Sequence, residues 1–277
     1  MKSGKSDVAR FAMVLESIEA QAWQDCWAAA TPTVREALGL RTLVHDRAFA
    51  MAADQLDSLL MNRVIGLGLA VPVTAEALDA FEAFYAGRQS FACNVSPFAT
   101  PVTTPELLTE RGLATFFHHV KWARQAERVA LRASTLRVER VDGASAAEWA
   151  LLASETFAGG SEPAREWLAA LVGRPGWQLF VTLDGDQVAG SAALFVRGQC
   201  AWLGMATTRE SHRSRGSQSL LLAARTNAAL EAGAVWLTTE TAPNWPELDP
   251  VSWRNVQRAG FAPLYERASW IRPPQAS

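Results

Sequence analysis

The feature that most restricts what this chain can fold into is an order of elements that occurs twice. In the second half, CAWLGMA (200–206) reads as a strand and SLLLAARTNAALEAG (219–233) as a helix closed by glycine. VWLTTET (235–241) is a strand, VSWRNVQRAG (251–260) a helix closed by glycine, and FAPLY (261–265) a strand. In the first half, MNRVIGLG (61–68), TAEALDAFEAFYAG (74–87), SFACNVS (90–96), PELLTERG (105–112) and LATFF (113–117) follow the same order. Gly87, Gly112, Gly233 and Gly260 sit where a left-handed residue ends a helix. The similarity is one of order with little residue identity, and it points to an internal duplication of an α+β unit. Residues 125–135 are charged and aperiodic, so we place a linker there and divide the chain into lobes 1–130 and 136–277.

The composition permits this. Hydrophobic residues make up 49% of 277, enough apolar surface to offset chain entropy, which excludes disorder as the main state. The formal charge of −2 and pI near 6.1 argue against a dedicated nucleic-acid partner, which would need a basic excess. Cys26, Cys93 and Cys200 are distant in sequence and form no paired framework, so reduced thiols and a cytoplasmic setting are expected. Asp7 and Glu16 interrupt the first apolar stretch, so no secretory leader is expected. No apolar run of about 18 residues suggests a membrane span.

Local signals set the remaining elements. Val8, Phe11, Leu15, Ile18, Ala22 and Trp23 recur at helical spacing over 6–29. A short helix starts at Pro32 and ends at Gly39, and strands follow at 47–52 and 61–67. Thr74 caps the helix carrying Leu78, Phe81 and Phe84, and strands are expected at 90–95 and 114–122. LRVERV (136–141) alternates as a strand. Ser145 and Ser161-Glu-Pro163 open two helices. WQLFVTL (177–183) and QVAGSAALFV (187–196) form a hairpin about Asp184-Gly185. Two final strands are expected at 261–266 and 268–271.

The segment with chemistry is WLGMATTRESHRSRGSQSLLL (202–222). A strand ends, a loop carries Arg209, His212, Arg213 and Arg215, and Gly216 opens an Ala/Leu-rich helix. A helix N-terminus presents unpaired N–H groups and partial positive charge, glycine admits close approach, and Ser214, Ser217 and Ser219 leave the concavity open. This is a phosphate cradle, though neither a Walker A loop nor GxGxxG. Arg213-Ser-Arg-Gly216-Ser-Gln218 resembles the [QR]-x-x-G-x-[GA] loop of the GNAT superfamily of acetyl-CoA-dependent N-acetyltransferases, departing from it at Gln218. The element order over 136–271, with its Asn255-to-Phe261 junction, is similar to that family as well. The first half resembles a degenerate unit of the kind found in tandem GNAT proteins. Its equivalent loop, Leu69 to Thr74, has neither Arg nor Gly, so one CoA site is expected.

The resemblance implies an α+β fold with a mixed, mostly antiparallel sheet and two GNAT-like lobes. It implies that backbone amides of Arg213, Ser214, Arg215, Gly216, Ser217 and Gln218 hold the CoA pyrophosphate, and that Arg209, Arg213 and Arg215 meet the adenosine 3′-phosphate. The edge of Met205, Ala206 and Thr207 would pair with the pantetheine arm, and an N–H of Met205 or Ala206 would polarise the thioester carbonyl. An amine acceptor would attack directly, which calls for a base and an acid. Glu240, near the end of strand 235–241, is the candidate base; Tyr265, just after the glycine junction, is the candidate acid. Asn255 would hydrogen-bond CoA or anchor its own helix.

Other residues carry less. His118 and His119 are adjacent on a strand and face opposite sides, and His45 is isolated, so no metal is expected. His212 would touch phosphate or lie exposed. Cys200 and Ser217 lack a nucleophile's context. Trp202 and Trp236 read as packing residues, whereas Trp245 sits in a Pro-rich loop and would either shape the acceptor cleft or anchor the loop. Two readings compete with the transferase: a non-catalytic acyl-CoA-binding regulator, and a nucleotide enzyme using the same loop. The acceptor amine stays unidentified, and monomer and homodimer both remain open.

Overall fold

The computed structural model describes residues 5–87, 90–243 and 251–272. In chain order it contains α1 (Lys5–Ala28), α2 (Pro32–Leu38), β1 (Leu40–His45), β2 (Ala48–Ala53), β3 (Arg63–Ile65), α3 (Ala75–Phe84), β4 (Ala92–Val95), α4 (Thr104–Glu110) and β5 (Ala114–Gln125). Then come β6 (Arg137–Arg140), α5 (Ala146–Phe157), α6 (Glu162–Ala169), β7 (Trp177–Asp184), β8 (Gln187–Arg197), β9 (Cys200–Thr208), α7 (Ser217–Glu231), β10 (Trp236–Thr241), α8 (Val251–Arg258) and β11 (Ala262–Ile271). A short 3-10 turn, Glu210–His212, links β9 to α7. No helix of the described residues is long and apolar enough to cross a membrane.

The chain forms two compact units, and neither is contiguous in sequence. One comprises 1–27, 35–120 and 265–277; the other comprises 28–34 and 121–264. The sequence division near 130–136 follows the chain, whereas here β5 and β11 each contribute to both units.

The first unit orders its strands β1-β2-β3-β4-β11-β5. The pairs β1–β2, β2–β3 and β4–β11 are antiparallel, and β3–β4 is parallel. Its apolar core gathers Ala50, Val64, Leu78, Phe81, Tyr85, Phe91 and Leu108. Thr74 caps α3 as its sequence predicts, its side chain accepting from Ala77 N at 3.1 Å. Beside this core lies a buried ionic cluster. Arg267 of β11 meets Glu19 Oε2 at 2.8 Å and Glu16 Oε2 at 3.3 Å, and Arg63 of β3 meets Glu19 Oε1 at 3.3 Å. All four side chains are at most 2% exposed, so each charge depends on its partners.

Two features differ from the sequence reading. β1 goes unrecognised because its hairpin to β2 turns on Asp46 and Arg47, with φ of 48° and 64°. Two left-handed non-glycine residues lack the glycine that usually marks such a turn. The two expected strands at 261–266 and 268–271 are one strand, because Arg267, which reads as a polar break, is neutralised by Glu16 and Glu19.

The second unit orders its strands β5-β10-β9-β8-β7-β6. β6 through β9 form an antiparallel meander, and β9–β10 is parallel. The fold is therefore α+β with a mixed, mostly antiparallel sheet. Ser161 caps α6 as expected, with Pro163 in its first turn. The β7–β8 hairpin shifts by one residue: Asp184 pairs with Gln187, so the turn consists of Gly185, at φ 59°, and Asp186. That shift leaves the Asp184 side chain available for the loop described next.

Candidate functional site

The second unit holds the Arg/Gly loop at the point where its sheet opens. β9 and β10 are registered at only three parallel pairs, Cys200–Trp236, Ala201–Leu237 and Trp202–Thr238. Beyond them the strands part, bridged by Thr239 Oγ1, which donates to Leu203 O at 2.8 Å. The parting coincides with a bulge. Gly204 pairs with Ala193 and Thr207 with Ser191, so Met205 and Ala206 together oppose Ala192. Met205 has φ 47°, a left-handed backbone in a residue that rarely adopts it. Gly204 has no Cβ where one would lie 1.9 Å from the Trp202 ring, so the buried indole occupies that face of the strand.

After β9, Arg209 N donates to Ala189 O at 2.8 Å and Arg209 Nε to Val188 O at 2.9 Å, which tie the loop's start to β8. Ser214 (φ 64°) and Gly216 (φ 89°) take left-handed conformations. Alternation of such residues turns successive N–H groups toward one concavity. Gly216 is the residue before α7, and its positive φ, rather than space, requires glycine: a Cβ would lie 3.6 Å from Ser134 Oγ, an ordinary contact. α7 begins hard against the sheet. Ser217 Oγ lies 2.7 Å from Thr182 Oγ1 and accepts from Thr208 Oγ1 at 3.1 Å. A Cβ at Gly190 would sit 2.4 Å from that same oxygen. The Ser217 hydroxyl thus anchors the helix start against the sheet.

A cavity of about 730 Å3 lies over this loop. It is lined by Ala206 to Thr208, His212 to Ser214, Gly216 to Ser219, and Val251, Ser252, Arg254, Asn255 and Arg258. The structure thus brings together Ala206, Thr207, Arg213, Ser214, Gly216, Ser217, Gln218 and Asn255 from the sequence-predicted set. Met205 is next to them in the bulge.

The arginines divide by environment. Arg215 is held by Asp184 through two bonds, Nη1 to Oδ2 at 2.6 Å and Nη2 to Oδ1 at 3.0 Å, and by Thr135 at 3.0 Å. Its guanidinium holds the Asp184 carboxyl below the usual carboxylate range. His212, 5% exposed, adds Nε2 at 3.4 Å from Asp184. Arg215 therefore braces the loop through its side chain, and Arg209 is similarly tied to β8. Arg213 is exposed and, among the described residues, pairs with an exposed Glu210 at 3.5 Å. Arg254 and Arg258, four residues apart on α8, add two exposed guanidinium groups at the rim. Their spacing was the available sequence signal, since residues at i and i+4 share a helix face.

Gln218, the departure from the loop pattern, has a partner that explains its length. Asn255 Nδ2 donates to Gln218 Oε1 at 2.6 Å, and Gln218 Nε2 donates to Ser252 Oγ at 3.4 Å. A glycine or alanine could not reach α8.

Glu240 lies on β10 just past the point where β9 parts, with its side chain 17% exposed. Lys121 of β5, fully buried, places Nζ 3.8 Å from Glu240 Oε2. Trp122 beside it donates Nε1 to Thr241 Oγ1 at 2.9 Å and packs edge-on against Trp253. Tyr265 belongs to the first unit. Its hydroxyl donates to Glu16 Oε1 at 2.9 Å. Burial and the Glu16 carboxylate hold its phenol well above the ordinary range, which is poor tuning for a proton donor.

Arg225 of α7 is the functional candidate that sequence reading missed. It is 1% exposed and donates Nε to Leu221 O at 3.0 Å, and Nη1 to Ala193 O and Gly204 O at 3.2 Å each. Burial pushes its pKa down to about 9. Its signal was a lone cation in an Ala/Leu helix.

The remaining candidates do not line this cavity. His118 lies 3.4 Å from Glu266, and His119 lies 3.3 Å from Ser269. No group of three His, Cys, Asp or Glu among the described residues could hold a metal ion. Cys93 is buried, which drives its thiol up to about 12. Trp245 lies outside the described residues.

No family model matches this sequence, and no curated protein matches it. Solved structures do. A GCN5-related N-acetyltransferase from Kribbella flavida is 17% identical, with a TM-score of 0.60 over 94% of this chain and 96% of its own. One from Sphaerobacter thermophilus is 14% identical, with a TM-score of 0.57 over 81% and 79%. A tandem GNAT protein from the clavulanic acid biosynthesis pathway is 14% identical, with a TM-score of 0.53 over 99% and 97%. The fold of this chain is that of GNAT acetyltransferases, including a tandem member.

Proposed function

We propose that this protein is an acyl-CoA-dependent N-acetyltransferase whose one CoA site lies in the second unit. The observation that carries the reading is the coincidence of two features: β9 and β10 part at the Met205 bulge, and the left-handed loop at Gly216 opens α7 beside that gap. The first offers a slot with strand-edge amides for an amide-bearing arm. The second offers helix-terminal N–H groups for a pyrophosphate. The residues present fit such a molecule. Backbone amides of Arg213 to Gln218 would hold the phosphates, with Arg213, Arg254 and Arg258 at the rim. Asn255 and Gln218 would close one side, and Met205 to Thr207 would line the arm. The likeness to GNAT acetyltransferase structures supports the same reading at the level of fold.

When bound, the acyl thioester supplies the group transferred and a thiolate leaving group. The chain's own task is to orient and to move a proton. Glu240, at the open end of the gap, would take the proton from the acceptor ammonium, directly or through water. The freed amine then forms the N–C bond as the C–S bond breaks, and the proton that the new amide nitrogen sheds goes to the departing thiolate, directly or through water. The Met205 or Ala206 N–H would stabilise charge on the thioester oxygen. Tyr265 takes no part here, since its hydroxyl is engaged by Glu16. A reducing, cytoplasmic setting suits the three free cysteines.

The proposal includes a silent first lobe, a degenerate copy within residues 1–130. Its equivalent loop is filled by the chain itself: Val73 N donates to Thr100 O at 2.7 Å, and Thr100 N donates to Gly68 O at 2.8 Å. A Cβ at Gly68 would lie within 3.0 Å of Val73, Ala99 and Thr100. These bonds of the loop to its own chain support the silent reading of that lobe.

The cradle is tested by Gly216→Glu. Side-chain strain at φ 89° and a negative charge facing phosphates should weaken acetyl-CoA binding by about tenfold or more. Unchanged affinity in a folded variant, measured by calorimetry, would remove the cradle.

A further inference from the structure

Among the described residues the buried guanidinium of Arg225 has no carboxylate partner, and carbonyl oxygens receive its bonds. A cation taken fully out of water without a counter-charge is costly, and the fold retains it at one place, behind the bulge. We infer that Arg225 is a positioning residue that polarises the Gly204–Met205 peptide, so that the Met205 N–H becomes the stronger donor toward an acyl carbonyl in the gap. This deepens the acyl-transfer reading and rests on it.

The directions of the backbone groups carry the argument. Leu203 O is turned toward β10, where it accepts from Thr239 Oγ1. Carbonyls alternate along a strand, so Gly204 O is turned the other way, toward β8. There it meets Arg225 Nη1, which also holds Ala193 O of β8. A trans peptide sets its N–H opposite its C=O, so the Met205 N–H of that unit is turned toward the parted edge. Met205 is outside the registered pairs of both neighbouring strands. A donor drawing on the carbonyl of an amide strengthens the N–H at its other end, and low dielectric amplifies the effect. The two-carbonyl grip also ties β8 to β9 at the Ala193–Gly204 pair, the last before the bulge.

The test reads the thioester carbonyl itself. Acetyl-CoA isotope-labelled at the acyl carbonyl is bound to the wild-type chain, and its infrared band is compared with the band in water. The expected result is a shift to lower frequency in the wild type. In Arg225→Met the band should return toward its position in water, and transfer should slow by about tenfold or more with acetyl-CoA affinity nearly unchanged. Arg225→Lys, whose shorter side chain carries its ammonium less far toward the two carbonyls and lacks the guanidinium's planar fork, should fall between. A band that stays shifted in folded Arg225→Met overturns the inference, as does an unshifted band in the wild type. Should Arg225→Met fail to fold, wild-type band position and rate in Arg225→Lys overturn it. A wild-type chain that binds no acetyl-CoA shows no bound band at all, and then the acyl-transfer reading falls and takes this inference with it.

Discussion

Replacing Glu240 by Gln is expected to slow acyl transfer by about a hundredfold or more while acetyl-CoA affinity stays within about twofold. The substitution keeps the side chain's shape and removes its capacity to take a proton. Glu240 lies on β10 past the last registered pair with β9, which is where the proposal places the base. Its Oε2 lies 3.8 Å from Nζ of the buried Lys121. Loss of that charge also affects Lys121, so thermal unfolding should be followed in parallel. A folded variant that turns over at the wild-type rate would exclude Glu240 as the base.

Replacing Arg267 by Met is expected to destabilise the protein by about 3–5 kcal/mol, the usual cost of removing one partner from a buried ionic group. Arg267 is 0% exposed and lies between Glu16 and Glu19, themselves 1% and 0% exposed. Arg63 remains beside Glu19, yet the four-charge cluster loses its neutrality. Denaturant titration checks this. An unchanged midpoint would mean that water reaches the cluster. Because the cluster lies in the first unit, the loss should appear as instability before it appears as weakened acetyl-CoA binding by the folded fraction.

The comparison of sequence with structure separates local information from long-range information. Thr74, Ser161 and Pro163 mark helix starts by chemistry within four residues, and the structure places caps there. The loop at Gly216 was equally legible, because a helix start preceded by glycine is a local event. β1 was hidden by a turn made of Asp46 and Arg47, whose left-handed conformations are imposed by the hairpin and by no glycine. The unity of β11 was hidden because the partners of Arg267 lie about 250 residues earlier in the chain. The Met205 bulge follows from the register between β8 and β9, and Arg225 gains meaning only from that bulge. Gln218 read as a defect in a pattern until α8 supplied Asn255 and Ser252 as its partners.

The central claim is that one acyl-CoA site exists, in the second unit. Isothermal titration with acetyl-CoA, with CoA and ATP as controls, tests it most directly. The account predicts about one acetyl-CoA per chain at micromolar affinity, roughly −8 kcal/mol, with ATP much weaker. Two equivalents would contradict the silent first lobe, and no binding would contradict the function proposed for the fold.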